Sequence, residues 1–397
     1  MLHIVFKVFF LLLTVSFFSC KNGLGVGATS SSTGWPYDYK AENAFRRSSG
    51  AAADVPPGMV AIPGWSMTID DVEAYETANR RIRSNELNTR RTLAVNSFYI
   101  DQNEVRNIDW REYQSWLTAV YSKVAPEIIE KAKPDIKAWT KGLSDNEPFM
   151  MNYFTHPSFN EYPVVCISWD QAVAYCAWRS DRANELRLIK MGVINAPDFK
   201  AIAQLETLEE VENAIFSSKK FFNSLQDNLA ATYTGMFPDY RLPSEDEWEF
   251  AAYARKSSDS EDKSRVYPWS ENKQMKLSQL QNDQLTAHYN KGVGSNNSNI
   301  FSRTVPVRSF APNDFGLYNM AGNVNEWVFD QYITRANLNK IDSVDVMDVF
   351  LPDYHKVADS RVYKGAHGKT QHFGCIHLPE DRSTEQLQPM TSGLGVR

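Results

Sequence analysis

The chain has 397 residues, 43% hydrophobic and 13% aromatic, with 19 Gly and 18 Pro; this supports a sizeable core and excludes a disordered, collagen-like or low-complexity protein. Its 42 Lys and Arg against 48 Asp and Glu leave a formal charge of −6, which argues against a protein that neutralises phosphates along a nucleic acid. No Pro-, Gly- or Ser-rich break follows residue 60, so one large domain carrying insertions is expected.

At the N-terminus, the apolar run 8–18 is too short for the roughly 20 residues of a membrane-spanning helix, and it ends at Ser19-Cys20. It reads as a secretory signal over residues 1–19. A small residue directly before a cysteine resembles a bacterial lipoprotein signal, and the resemblance implies that Cys20 carries lipid at the start of the mature chain. Residues 20–55 would then be a lipidated tether, flexible over the Gly-, Ser- and Thr-rich stretch 21–32. No other segment is long and apolar enough to span a bilayer.

Short strands are expected at 59–62 and 97–100. A helix follows Asn107, with Trp110, Tyr113, Leu117 and Val120 facing inward. After a strand at 164–167, Ser168 with Gln171 three positions on predicts a capped helix through Arg182 that buries Ala172, Tyr175 and Cys176. Thr207 with Glu210 opens the most periodic stretch, in which Leu208, Val211, Ile215, Phe222 and Leu225 predict one amphipathic helix. Ser244 with Glu247 opens another, burying Trp248, Ala251 and Ala252, and a last strand is expected at 362–364. Aromatic residues such as Trp35, Tyr153, Phe154, Trp269, Phe310 and Phe315 occupy the stretches between, which points to packed irregular structure. The fold class is therefore α+β with little regular secondary structure.

In an exported protein a Cys166–Cys176 or Cys176–Cys375 bridge is permitted, but Cys166 and Cys176 both lie in apolar contexts where a buried free thiol is the commoner outcome.

Longer motifs carry an identification. They include Phe98-Tyr99-Ile100-Asp101-Gln102-Asn103-Glu104-Val105, Tyr162-Pro163-Val164-Val165-Cys166-Ile167-Ser168-Trp169, and Arg241-Leu242-Pro243-Ser244-Glu245-Asp246-Glu247-Trp248. Tyr267-Pro268-Trp269 follows, and then Asn313-Asp314-Phe315-Gly316-Leu317-Tyr318-Asn319-Met320-Ala321-Gly322-Asn323-Val324-Asn325-Glu326-Trp327. The ordered series over residues 56–397 resembles the formylglycine-generating-enzyme domain, also called the sulfatase-modifying-factor family. The resemblance implies a complex fold related to C-type lectins. The signal, the segment Ser32-Thr33-Gly34-Trp35-Pro36-Tyr37 and Leu378-Pro379-Glu380-Asp381-Arg382 further resemble the gliding-motility and type IX secretion lipoproteins of Bacteroidota, of the J type or the related K type.

The family's oxidase uses two neighbouring cysteines near the end of its domain to hold copper and activate oxygen. Here that region offers Cys375 alone, and the family's Arg-Gly-Gly-Ser-Trp signature is replaced by Tyr363-Lys364-Gly365-Ala366-His367. No catalytic residue is therefore assigned. The family's other oxidative branch, which makes sulfur–carbon bonds, relies on a separate iron-binding domain that has no counterpart in the chain. His367, His372, Cys375 and His377 are of metal-ligand type but lack the spacing of a familiar zinc module, and are read as structural.

Calcium is the better-supported cofactor. The resemblance implies that Asn319 and Glu326 side chains, with the backbone at Gly322 and Val324, wrap a calcium ion, a hard cation that takes six to eight oxygens. A second family site would use Asn290 and Lys291, but the loop 292–300 contains no Asp or Glu to complete it.

The resulting expectation is a non-catalytic lipoprotein held on the periplasm-facing side of the outer membrane. Its partners would be other gliding and type IX secretion proteins, met through insertions at 119–161 and 184–238. A formylglycine-type oxidase, or a lectin-like carbohydrate or peptide binder, is the alternative.

Overall fold

The computed structural model describes residues 28–40, 55–70, 90–137, 151–225, 235–254, 304–331, 361–365 and 394–395. Helices and small sheets are mixed in it. Strand β1 (Met59–Ile62) pairs antiparallel with β4 (Phe98–Asp101), Ile62 opposite Phe98. Strands β2 (Ser66–Asp70) and β3 (Arg90–Ala94) form a second antiparallel pair. In the third sheet β5 (Asn325–Gln331) lies between β6 (Arg361–Lys364), which is antiparallel to it, and β7 (Leu394–Gly395), which is parallel.

Helix α1 (Asn107–Tyr121) starts where the Asp109 carboxylate accepts the Arg106 backbone N–H at 3.0 Å. All four residues expected to face inward, Trp110, Tyr113, Leu117 and Val120, are buried. The short helix α2 (Pro126–Lys131) follows. Helix α3 (Trp169–Lys190) opens on the expected box, Ser168 Oγ accepting from Gln171 N at 3.2 Å and Gln171 Oε1 accepting from Ser168 N at 2.8 Å. It runs past Arg182 because Ala183, Leu186 and Leu188 continue its buried face. Trp110 stacks on Tyr175 with centroids 5.2 Å apart, which locks α1 to α3. Helices α4 (Phe199–Ile202), α5 (Leu208–Ala214), α6 (Ser218–Ser224) and α7 (Glu245–Tyr253) follow. None of the described helices is long and apolar enough to cross a membrane.

Three local expectations are corrected. The single amphipathic helix over 208–225 is two short ones, α5 and α6. Ile215 is extended, Ser217 caps α6, and the Ser218 N–H turns to Asp181 at 2.6 Å. Leu208 and Phe222 are exposed, so the five apolar residues do not share a face. The stretch 164–167 is not a strand: Val164 N donates to Val105 O at 2.8 Å, after which Cys166 turns left-handed at φ 61° and ends the pairing. Neither bridge involving Cys176 exists, because Cys176 is a free buried thiol on α3, while Cys166 is disulfide-bonded to a cysteine outside the described residues.

The N-terminal stretch also differs from a tether. Residues 28–40 form a strap packed on α1 and α3, with Ser30, Ser32, Thr33 and Trp35 buried. Trp35 Nε1 donates to Arg182 O at 2.6 Å, Arg179 Nε to Ser32 O at 2.9 Å, and Thr33 Oγ1 to Glu112 Oε1 at 2.6 Å. Trp35, Tyr39 and Phe199 meet edge to face. Small polar residues made this stretch look flexible. Hydrogen bonds exchanged with α1 and α3 hold it instead, and Gly58 (φ 77°) permits the approach, since a Cβ there would lie 2.8 Å from Ser31 O. Residues 1–27, including Cys20, lie outside the described residues.

Candidate metal centre

Asn319, Gly322 and Val324 lie buried in the turn entering β5, and Glu326 is buried at the start of that strand. Asn319 and Asn323 both adopt left-handed backbone, at φ 52° and 63°, conformations asparagine tolerates better than most residues. Leu317, Met320, Val324 and Val328 bury the turn's apolar face. Gly365, at the end of β6, comes so close that a Cβ would lie 2.7 Å from Val324 O, while its own carbonyl accepts the Gly322 N–H at 2.6 Å.

Glu326 is tied to α7, while Asn319 and Asn323 are both tied to Glu104 and the 305–307 segment. Glu326 is wholly buried, and its Oε2 accepts the Trp248 indole N–H from α7 at 2.7 Å. Asn323 Oδ1 accepts the Val305 N–H at 2.9 Å. Asn319 Nδ2 donates to Val307 O at 3.0 Å and to Glu104 Oε2 at 3.2 Å. Asn319 Oδ1 is buried and accepts no hydrogen bond. A buried amide oxygen without a donor is costly in a protein interior and suits a cation that takes oxygen ligands, so the residues present fit calcium.

Sequence reasoning missed Glu104. It stands inside the motif Asp101-Gln102-Asn103-Glu104-Val105, in the loop that leaves β4, and is fully buried. The sequence held no signal for it: Glu104 ends the polar run Asp101-Gln102-Asn103-Glu104, where a carboxylate reads as a surface charge. The second proposed site, Asn290 and Lys291, lies outside the described residues, as do Cys375 and the three histidines near it. Among the described residues no group of three or more His, Cys, Asp and Glu side chains could hold a metal ion.

The segment that replaces the family's enzyme signature has a structural use. Lys364 Nζ bonds Glu249 Oε1 at 2.6 Å and also pairs with Glu245, which fastens β6 to α7. Cys176, the free thiol, is held off ionisation: burial pushes it up to about 12, against a smaller opposite pull from Arg179.

Comparison with known proteins agrees with the motif series. Residues 45–397 match the sulfatase-modifying factor enzyme 1-like domain. The chain is 26% identical over 263 residues to the inactive C-alpha-formylglycine-generating enzyme 2 of Bos taurus, covering 61% of this chain and 62% of that protein, so it spans about three fifths of that relative's length. It is 23% identical over 331 residues to the formylglycine-generating enzyme of Bos taurus, covering 78% of this chain and 68% of that one. Among solved structures, PvdO from Pseudomonas aeruginosa is similar at 19% identity and a TM-score of 0.33, over 72% of this chain and 74% of its own. The length of the family match decides the assignment: the chain belongs to the sulfatase-modifying factor enzyme 1-like domain family.

Proposed function

We propose that this chain is a non-catalytic member of its family, a calcium-stabilised structural lipoprotein with a C-type-lectin-like fold. In this reading Cys20 anchors it to the periplasm-facing side of the outer membrane, where it serves gliding motility or type IX secretion through protein contacts. The thiol inventory carries the reading. Copper-dependent oxidation on this fold needs two neighbouring thiolates. The sequence near Cys375 holds no second cysteine, and Cys176, on α3, is a buried thiol resistant to ionisation. The similarity to an inactive C-alpha-formylglycine-generating enzyme supports the same view. The test is to incubate the purified chain with copper, oxygen and a cysteine-containing sulfatase peptide. No formylglycine product is expected; turnover would overturn the reading. Cross-linking in native membranes, followed by identification of the captured proteins, tests the partner class.

A further inference from the structure

Glu104 binds the turn at both ends. Its Oε1 accepts from Asn323 Nδ2 at 3.0 Å and its Oε2 from Asn319 Nδ2 at 3.2 Å. The second N–H of each amide goes to a backbone carbonyl, Val305 O at 3.2 Å for Asn323 and Val307 O at 3.0 Å for Asn319. A backbone carbonyl can only accept. Rotating either amide by half a turn would set oxygen against oxygen, so the orientation of both is dictated by their partners. The two amides then diverge. Asn323 Oδ1 is used by the Val305 N–H, which closes the turn, whereas Asn319 Oδ1 is left buried and without a donor.

We propose that Glu104 is a positioning residue for calcium: by holding the Asn319 amide through its nitrogen, it presents Oδ1 to the cation while acting only through Asn319. The inference rests on the calcium reading of the turn. It explains why a carboxylate outside the predicted ligand set is wholly buried beside it, since losing a residue that orients a metal ligand typically costs about 10- to 100-fold in affinity.

Calorimetric titration of calcium into the parent chain, Glu104→Gln, Asn319→Ala and the double variant tests this. Gln keeps the size of Glu but turns an NH2 group toward an asparagine NH2. Glu104→Gln should weaken calcium binding about 10- to 100-fold. In the Asn319→Ala background the same change should alter affinity by no more than about twofold, because the ligand it acts on is gone. Parent-like affinity in Glu104→Gln, or an undiminished loss in the Asn319→Ala background, overturns the inference and leaves the metal reading standing. A parent chain that binds no calcium overturns both, and is recognised before any substitution is made. Should Glu104→Gln not fold, selective nitrogen-15 labelling of asparagine in the calcium-free parent decides. An Asn319 side-chain amide already protected from exchange supports preorganisation, and one protected only after calcium is added refutes it.

Discussion

Trp248 and Glu326 are joined by a 2.7 Å hydrogen bond from the indole to the carboxylate, so the helix α7 motif and the turn entering β5 form one buried unit. The bond uses one oxygen of Glu326 and brings a helix to the edge of the proposed calcium site. Glu326→Ala should therefore act twice. It strips Trp248 of its acceptor, lowering thermal stability, and it removes the carboxyl ligand of the proposed calcium site. Calcium should raise the melting temperature of the parent by mass action and leave that of Glu326→Ala unchanged. Melting curves with and without calcium check both parts; if calcium moves neither curve, the metal reading fails.

Arg179 is a second junction. Its guanidinium pairs with both oxygens of Asp101, at 2.5 and 2.7 Å, while Nε and Nη2 hold the carbonyls of Ser32 and Pro57. One side chain thus fastens α3, β4 and the strap together. Arg179→Met should cost about 3–5 kcal/mol, because it leaves a buried Asp101 without its cation. Asp101→Asn with Arg179→Met should recover part of the loss, since no charge then remains buried. Denaturant unfolding of the single and double variants measures both values; equal stability of the two would sink the account.

The elements and motifs that depend on local chemistry were legible in the sequence. The Ser168–Gln171 and Ser244–Glu247 caps formed as written, and so did the inward face of α1. What was missed depends on distant partners. The strap looked flexible because nothing near Ser30 or Thr33 in sequence can bury them; the groups that do so, Glu112, Tyr175 and Arg179, stand roughly eighty to 150 residues away. The 208–225 periodicity failed for a related reason. Asp181 captures the Ser218 N–H and Ser217 offers a fresh cap, which favours two helices over one. At the proposed metal centre the candidate ligands come from the motif, while Glu104 does not, because its proposed role lies in the orientation of two amides.

Strap docking should depend on pH through Glu112. Burial pushes its carboxyl up from 4.5 to about 7, partly offset by hydrogen bonds from Ser30 and Thr33. The folded chain thus holds this proton more tightly than the unfolded chain does. The stabilisation is complete below pH 4.5 and is lost as pH rises through about 7. Glu112→Gln, which stays neutral, should lack this slope. Melting temperatures of both chains between pH 4.5 and 8 provide the check, and parallel curves would remove Glu112 as the cause.

Membrane attachment makes a separate prediction. With the packed strap beginning by residue 28, at most eight residue steps separate it from Cys20, a reach of roughly 30 Å when fully extended. A lipid on Cys20 would hold the domain within that distance of the bilayer surface. Cys20→Ala should lose metabolically incorporated fatty acid and leave the membrane fraction. Equal label in parent and variant would show that the anchor lies elsewhere.

The thiols supply the sharpest test of the non-catalytic reading. With burial raising Cys176 to about 12, its thiolate at pH 8 amounts to about one part in ten thousand, and the side chain is closed to reagents on α3. Iodoacetamide should therefore leave Cys176 unlabelled in the native chain and label it fully after unfolding. Peptide mapping without reductant should recover Cys166 in a disulfide-linked peptide. A catalytic thiol pair demands the reverse, a low-pKa cysteine labelled rapidly in the native state. Rapid native labelling of Cys176 would return that cysteine to the inventory and reopen copper chemistry on this domain, and recovery of Cys166 as a free thiol would overturn its disulfide.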